Sequence, residues 1–311
     1  MSHQPQVFSS NGKLLLTGEY LVLRGANALA LPVNLGQTLD IETFEGSGHP
    51  HMSWFAFAPG KQWFKTTFEL PELDIIATDD RPKSAKLQLI LLTLKQLKPE
   101  LFDGTNSYKV ITRLGFEPEW GLGSSSTLIA NLAKWAKTDP YTLLNFSIGG
   151  SGYDIACANA ESPLFYRLNL LRPEVKKASF KPVFADKLFF VYRGQKKDSS
   201  QGISNFNELT EGHDLSQLIE KVSAISLEAA QTENFDVFCN LMNSHEALLS
   251  GILLQPVLKQ YYPDFDGHLK SLGAWGGDFM LAMTNAGKDY VTDYFSAHGL
   301  NTVFEYHALI K

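Results

Sequence analysis

Cysteine is scarce: Cys157 and Cys239 are the only two in 311 residues, far apart and outside any CxxC or clustered His/Cys pattern. That excludes a disulfide scaffold and a structural zinc site of the usual spacing, and it fits a reducing compartment. A basic tract is also lacking. The 27 lysines and arginines are dispersed among 33 aspartates and glutamates, for a formal net charge of −6. Neither nucleic acid nor an anionic membrane surface is therefore expected as a partner. Charge-free stretches are short and broken by Gly, Pro, Asn or Ser. None supplies the ~18 continuous apolar residues of a membrane span. The polar start, residues 1–6, has no apolar segment of the signal-peptide kind,. Standard catalytic signatures are missing too. Gly12-Lys13, Gly60-Lys61 and Gly287-Lys288 each lack the Ser or Thr that would complete a P-loop, and there is no GxSxG, HExxH or HRD,. Protein kinases, P-loop ATPases, α/β-hydrolases and zincins are disfavoured. The expectation is a cytoplasmic globular protein, monomer or homodimer, acting on a small molecule.

Apolar residues make up 44% of the chain, enough for a full core,. Phe8 to Leu23 reads as strands and loops with a turn at Ser10-Asn11-Gly12, and a second turn follows at Arg24 to Asn27,. Leu29 to Phe44 continues as strand with bends at Pro32 and Gly36. The aromatic-rich stretch Trp54 to Phe68 suits a hairpin turned at Pro59-Gly60-Lys61, its rings serving a core, an edge strand or a dimer surface. Leu87, Ile90, Leu91 and Leu94 fall on one helical face and predict a helix over 84–97,. A strand over 108–114, a helix from Leu128 to Ala136 and a short helix over 141–146 follow. Beyond a strand at 188–192 the texture changes. Helices are predicted over 214–230, with Asp214 as its cap, and over 235–254. A strand at 279–284, a helix at 288–298 and a strand at 302–306 come after them. This order suggests helices on one antiparallel sheet, an α+β arrangement, with a boundary near residue 180 dividing 1–180 from 181–311.

Three glycine-rich loops carry the candidate chemistry. In Gly121-Leu122-Gly123-Ser124-Ser125-Ser126 the glycines permit a tight turn and close backbone approach, and the serines open an amphipathic helix. A helix amino terminus favours anions through its unpaired N–H groups and dipole, and a hydroxyl there can ligate nucleotide-borne Mg²⁺. The other two loops, Gly149 to Asp154 and Gly273 to Asp278, each end in an aspartate. His245 and His268 show no ligand spacing and read as surface or internally satisfied residues. The sequon at Asn145 reads as incidental.

Pro118 to Ser126 resembles the nucleotide-binding motif PxxxGLGSSAA of the GHMP small-molecule kinases, with one residue fewer between Pro and Gly. Residues 11–20, Asn-Gly-Lys-Leu-Leu-Leu-Thr-Gly-Glu-Tyr, resemble the family's PGKxxLxGEH/Y motif with Asn for Pro. Residues 150–156 resemble its GSGxDxA segment, and Gly273 to Asp278 its GAGGGD loop with Trp275 in place of a Gly. Four motifs in the family's order make the resemblance specific, nearest the mevalonate and phosphomevalonate kinase branch. The resemblance implies an α+β fold of two domains, an amino-terminal α/β domain with a left-handed βαβ unit and a carboxy-terminal ferredoxin-like domain, with the active site in the cleft between them. It implies ATP held by Gly121, Leu122, Gly123, Ser124, Ser125 and Ser126, with Ser125 on Mg²⁺. Asp154 would take the acceptor's proton beside Lys13, and Glu19, Tyr20, Gly152, Trp275, Gly276 and Gly277 would face the acceptor. Some relatives add a metal-binding Glu about a dozen residues before the Asp; residues 142–145 contain no acid, which leaves Ser125, the phosphates, water and Asn145 for the metal. A phosphate acceptor would need basic residues, with Lys83, Lys86, Lys196 and Lys197 as candidates. Homoserine or sugar kinase activity, a related decarboxylase, and a non-catalytic nucleotide sensor are the alternatives.

Overall fold

The computed structural model describes residues 5–45, 48–170, 172–195, 199–273, 275 and 278–311. The chain forms two compact units, each assembled from separated segments. The first takes residues 1–12, 35–118 and 123–159, and the second takes 13–34, 119–122 and 160–311. A single cut near residue 180 does not describe them, because two early segments belong with the carboxy-terminal half.

The first unit is built on residues 6–12 of strand β1 (Gln6–Thr17), residues 35–45 of β2 (Ala28–Glu45), and strands β3 (His51–Ala58), β4 (Lys61–Glu69), β5 (Ile75–Thr78) and β6 (Asn106–Leu114). Helices α1 (Arg81–Leu97), α2 (Ser124–Ala136), α3 (Pro140–Ser147) and α4 (Tyr153–Ala158) accompany them. Strand order is β5-β4-β3-β6-β2, with β1 also paired to β2. β6 lies between an antiparallel partner, Val110 opposite Ile41 of β2, and a parallel one, Val110 opposite Trp54 of β3. A parallel pair needs a long crossover, and the hairpin strand β4, β5 and α1 supply it. Period-2 alternation in the hairpin buries Trp54, Phe64 and Phe68 while Phe55, Phe57 and Trp63 lie half-buried,. The core joins Trp54, Phe68 and Val110 to Leu87, Ile90 and Leu94 of α1 and to Ile129 and Leu132 of α2. α1 begins earlier than its apolar stripe, because Asp80 caps it by accepting from the Lys83 N–H at 3.0 Å. Such a cap contributes about 1 kcal/mol.

The expected turn at Ser10-Asn11-Gly12 does not form; β1 runs through it without a break. Likewise Gly36 lies inside a continuous β2, where its backbone meets Ser10. A Cβ there would stand 2.3 Å from the Ser10 carbonyl oxygen. Close strand approach explains this glycine better than a bend does.

The second unit holds β7 (Leu164–Asn169), β8 (Arg172–Lys177) and β9 (Leu188–Tyr192). Helices α5 (Ser199–Leu209), α6 (Ser216–Gln231) and α7 (Phe235–Leu253) follow, then β10 (His268–Leu272), β11 (Phe279–Met283), α8 (Gly287–Ala297) and β12 (Val303–Glu305). The last four strands form an antiparallel sheet in the order β10-β11-β9-β12. β7 pairs with the start of β2, and β8 with β7. Phe189, Val191, Met280 and Ala282 of the sheet pack with Val291 and Phe295 of α8. A second cluster gathers Leu21, Phe206, Val222, Leu249 and Trp275 among α5, α6 and α7. β7, β8, β10 and α5 were not among the sequence expectations. Asp214 accepts from the Ser216 N–H at 2.9 Å, so it serves the start of α6 one residue outside the formal cap. No helix among the described residues is long and apolar enough to cross a membrane.

Candidate functional site

In the first unit the serine loop and the aspartate meet. Gly123, at φ 95°, delivers the chain into α2, whose first turn is Ser124, Ser125 and Ser126. These N–H groups have no carbonyl one turn earlier, so the first turn is a ready anion cradle. α2 is fixed by buried polar bonds. Asn131 donates to the Gln37 carbonyl at 2.9 Å and accepts from the Ser10 hydroxyl at 2.7 Å, while the Thr127 hydroxyl donates to the Gln37 side chain at 2.8 Å. Asp154 is the second residue of α4, which enters through Gly152 at φ 85°. Its Oδ1 accepts from the Ile155 N–H at 3.1 Å, and its Oδ2 accepts from the Ser126 hydroxyl. The hydroxyls of Ser124 and Ser125 make no hydrogen bond among the described residues and are half-buried.

The remaining motif residues lie in the second unit. Lys13 is held on the first half of the glycine loop: its N–H donates to the Leu122 carbonyl at 3.0 Å and its ammonium to the Gly121 carbonyl at 2.9 Å. Gly121, at φ 67°, lies against Asp278; a Cβ there would come within 2.2 Å of a carboxylate oxygen. Asp278 is anchored by its own N–H to the Gln195 carbonyl at 2.9 Å, and its carbonyl accepts from the Arg193 N–H at 2.8 Å. Gly276 and Gly277 lie outside the described residues, as do Lys196 and Lys197. Lys83 is paired with the helix-capping Asp80 of the first unit.

Glu19 and Tyr20, adjacent in sequence, are placed differently. Glu19 is 3% exposed and pairs with the fully buried Lys270 at 2.6 Å; it does not line the cavity described below. Burial pushes its carboxyl up to about 7, against the pull of Lys270. The Gly18 N–H donates to His245 Nε2 at 2.9 Å, so that nitrogen carries a lone pair and the imidazole proton is on Nδ1,. Burial first, and the Lys270 charge second, hold this imidazole well below its usual range, so it is neutral at pH 7. Its 3.3 Å approach to Glu19 Oε2 is therefore no ion pair. Glu246 completes the group, accepting from the Ser271 N–H and hydroxyl at 2.9 and 3.1 Å and from the Leu258 N–H at 3.2 Å. Breaking one partner out of such a buried pair costs about 3–5 kcal/mol.

Tyr20 faces a cavity of about 800 Å³ whose lining includes Arg193, Asn205, Glu208, Ser271 and Trp275. The volume lies within the ~300–1,000 Å³ range of small-molecule sites. The Tyr20 ring stacks on Phe206 at 5.4 Å, and its hydroxyl accepts from the Trp275 N–H at 2.9 Å. Trp275 is 8% exposed and packs into the helical cluster with Leu249 and Leu253, so its ring is chiefly a core element with one edge on the cavity. Arg193 was not singled out from the sequence. Its Nε and Nη1 are buried without a hydrogen-bond partner among the described residues, two unmatched donors in the cavity wall,. Lys270, His245 and Glu246 were also missed as a group. Among the described residues no cluster of three His, Cys, Asp or Glu could hold a metal. A divalent cation carried on phosphate oxygens, needing one protein hydroxyl such as that of Ser125, fits this donor set.

No protein-family model and no curated protein matches the sequence. Solved structures do match in fold. L. major mevalonate kinase, solved with R-mevalonate, is similar over 97% of this chain and 95% of its own, at TM-score 0.69 and 16% identity. Streptococcus pneumoniae phosphomevalonate kinase, solved with phosphomevalonate and AMPPNP, is similar over 96% and 99%, at TM-score 0.68 and 16% identity. Lactococcus lactis galactokinase, solved with galactose, is similar over 97% and 93%, at TM-score 0.67 and 14% identity. All three are GHMP kinases. The mixed α and β chain, with its two sheets and two compact units, has the two-domain fold of that family.

Proposed function

We propose that the chain is an ATP- and Mg²⁺-dependent kinase that transfers the γ-phosphoryl group to a small metabolite, with mevalonate or phosphomevalonate first among the acceptors. The observation that carries this reading is the bond between Ser126 and Asp154, which sets a carboxylate beside the anion cradle of α2. Phosphoryl transfer leaves the protein little covalent work; it rests on positioning and on neutralising charge. The N–H groups of Ser124 to Ser126 and the turn at Gly121 and Gly123 would hold the triphosphate. Bound Mg²⁺ would neutralise the phosphate oxygens, with the Ser125 hydroxyl as its protein ligand. As the acceptor oxygen bonds to the γ-phosphorus, its proton passes to Asp154, the bond to the β-phosphate oxygen breaks, and ADP leaves. Lys13, close to the loop through Gly121, would offset developing charge. With a phosphomevalonate acceptor the attacking oxygen belongs to a phosphate and brings no hydroxyl proton.

Acceptor binding is assigned to the cavity beside Tyr20. Arg193 favours an acceptor bearing an anionic group, as mevalonate and phosphomevalonate do, over a neutral sugar,. The test is ADP release across mevalonate, phosphomevalonate, homoserine and galactose, with Asp154→Ala in parallel. Turnover with mevalonate, lost in the variant while nucleotide still binds, is expected; with phosphomevalonate, which brings no hydroxyl proton, the variant should keep turnover. Unchanged mevalonate turnover in the variant would remove Asp154 from the reaction. Nucleotide binding without ADP from any acceptor would favour a sensor, the reading to which Trp275 in a glycine position lends some support.

A further inference from the structure

We infer that Ser126 is a positioning residue: its hydroxyl orients the Asp154 carboxylate and does not bind phosphate. The three serines of the α2 first turn are not equivalent. Ser124 and Ser125 keep hydroxyls that make no hydrogen bond among the described residues, whereas Ser126 is 5% exposed and donates to Asp154 Oδ2. A hydroxyl in a helix ordinarily turns back to a carbonyl three or four residues earlier. The next residue keeps that orientation: the Thr127 hydroxyl oxygen lies 3.0 and 3.1 Å from the Gly123 and Ser124 carbonyl oxygens, beside its 2.8 Å contact with the Gln37 side chain. Ser126 instead reaches across to α4. Asp154 has two torsions to fix, and its flanking residues on α4 supply one donor, the Ile155 N–H on Oδ1. The Ser126 hydroxyl is the second donor, on the other oxygen, and together they hold the carboxylate plane. A lone pair on Oδ2 remains for an incoming proton.

The inference rests on the reading of Asp154 as proton acceptor, so its effect should fall on the chemical step. Displacing a reacting group by ~1 Å costs about 10²-fold in rate. Ser126→Ala is expected to lower kcat by ~10- to 100-fold with KM for ATP and the directly measured nucleotide affinity unchanged within about two-fold. Ser126→Thr keeps the hydroxyl and should restore most of the loss. The double variant Ser126→Ala with Asp154→Asn should be no slower than Asp154→Asn alone, since removing the carboxylate leaves nothing to orient.

Nucleotide affinity is the deciding readout. If Ser126→Ala weakens nucleotide binding ten-fold or more at preserved kcat, the hydroxyl serves the phosphate and the inference is overturned. Wild-type kinetics in Ser126→Ala beside a dead Asp154→Asn would also overturn it, leaving the kinase reading intact. Full turnover in Asp154→Asn would instead sink the reading beneath it. Circular dichroism and a thermal melt on each variant separate a folding defect from a kinetic one.

Discussion

Replacing His245 by glutamine isolates the proton balance of the buried charge cluster. The imidazole is fully buried and held neutral by desolvation and by the Lys270 ammonium. In the unfolded chain it titrates near 6.5. Below that pH the unfolded state takes a proton that the folded state refuses, so stability present above pH 6.5 is lost as the pH falls. At pH 5 the unfolded side gains about 1.5 units of pH times 1.36 kcal/mol, or ~2 kcal/mol. Glu19 acts in the opposite sense. Its folded value near 7 stands above the ordinary 4.5, so its contribution to stability declines as pH rises from 4.5 through 7. In the wild-type protein the two slopes offset one another between pH 4.5 and 6.5. A glutamine can still accept from the Gly18 N–H and does not titrate. The stability gap between the two proteins should therefore move by ~2 kcal/mol in the variant's favour between pH 8 and pH 5, measured by urea unfolding. A gap of the same size at both pH values would refute the reasoning, because it would mean that the folded imidazole accepts a proton freely.

Two further substitutions test the loops of the second unit. Gly121→Ala would place a methyl 2.2 Å from an Asp278 oxygen at φ 67°, a clash joined to a strained backbone,. It should lower the melting temperature and weaken nucleotide binding, and a variant that melts and binds like wild type would show that Asp278 yields. Trp275→Gly restores the glycine of the family pattern but removes a ring packed with Phe206, Leu249 and Leu253. A loss of about 3–5 kcal/mol on urea unfolding is expected, with a wider acceptor range from the enlarged cavity. A change below 1 kcal/mol would mean that the ring is not part of the core.

What could be read from the sequence was whatever a short window contains. The four apolar residues of α1 and the Pro-Gly turn of the hairpin announce their elements locally, and both formed as expected. The Asn11-Gly12 pair announces a turn just as clearly, yet β1 overrides it because the strand is paired to β2 and held, through Ser10, by Asn131 of α2. β10 went unread for a related reason. A lysine at its centre breaks the apolar run, although Lys270 is fully buried and its charge is answered by Glu19, 251 positions away. The edge strand β8 carries Arg172, Pro173, Lys176 and Lys177, composition that discourages pairing with another chain and also conceals the strand,. At the candidate site, the serine loop and Asp154 were legible as motifs. Which serine faces the acid was not, because a one-residue step along α2 rotates the side chain by about 100° and only the packing of α4 decides.

Tyr20 and Trp275 show how a departure from a family pattern acquires a physical meaning. Taken alone, tryptophan in a glycine loop looks like damage, and tyrosine after Gly-Glu is one of two ordinary choices. In the folded chain they form one structure: the Trp275 N–H donates to the Tyr20 hydroxyl, the Tyr20 ring lies on Phe206, and the Trp275 ring fills the same helical cluster. Gly202 of α5 leaves room for that hydroxyl, since a Cβ there would come within 2.9 Å of it. The bulk that the loop gains is thus absorbed by the core, and the loop's N–H, which a glycine would also supply, finds a partner in the phenol. Tyr20 cannot be shortened without unpairing that N–H, and Trp275 cannot be shortened without opening a void behind Tyr20. The cavity wall beside the two rings is consequently fixed as a pair, and any ligand of the cavity has to fit the space that this pair and Arg193 leave.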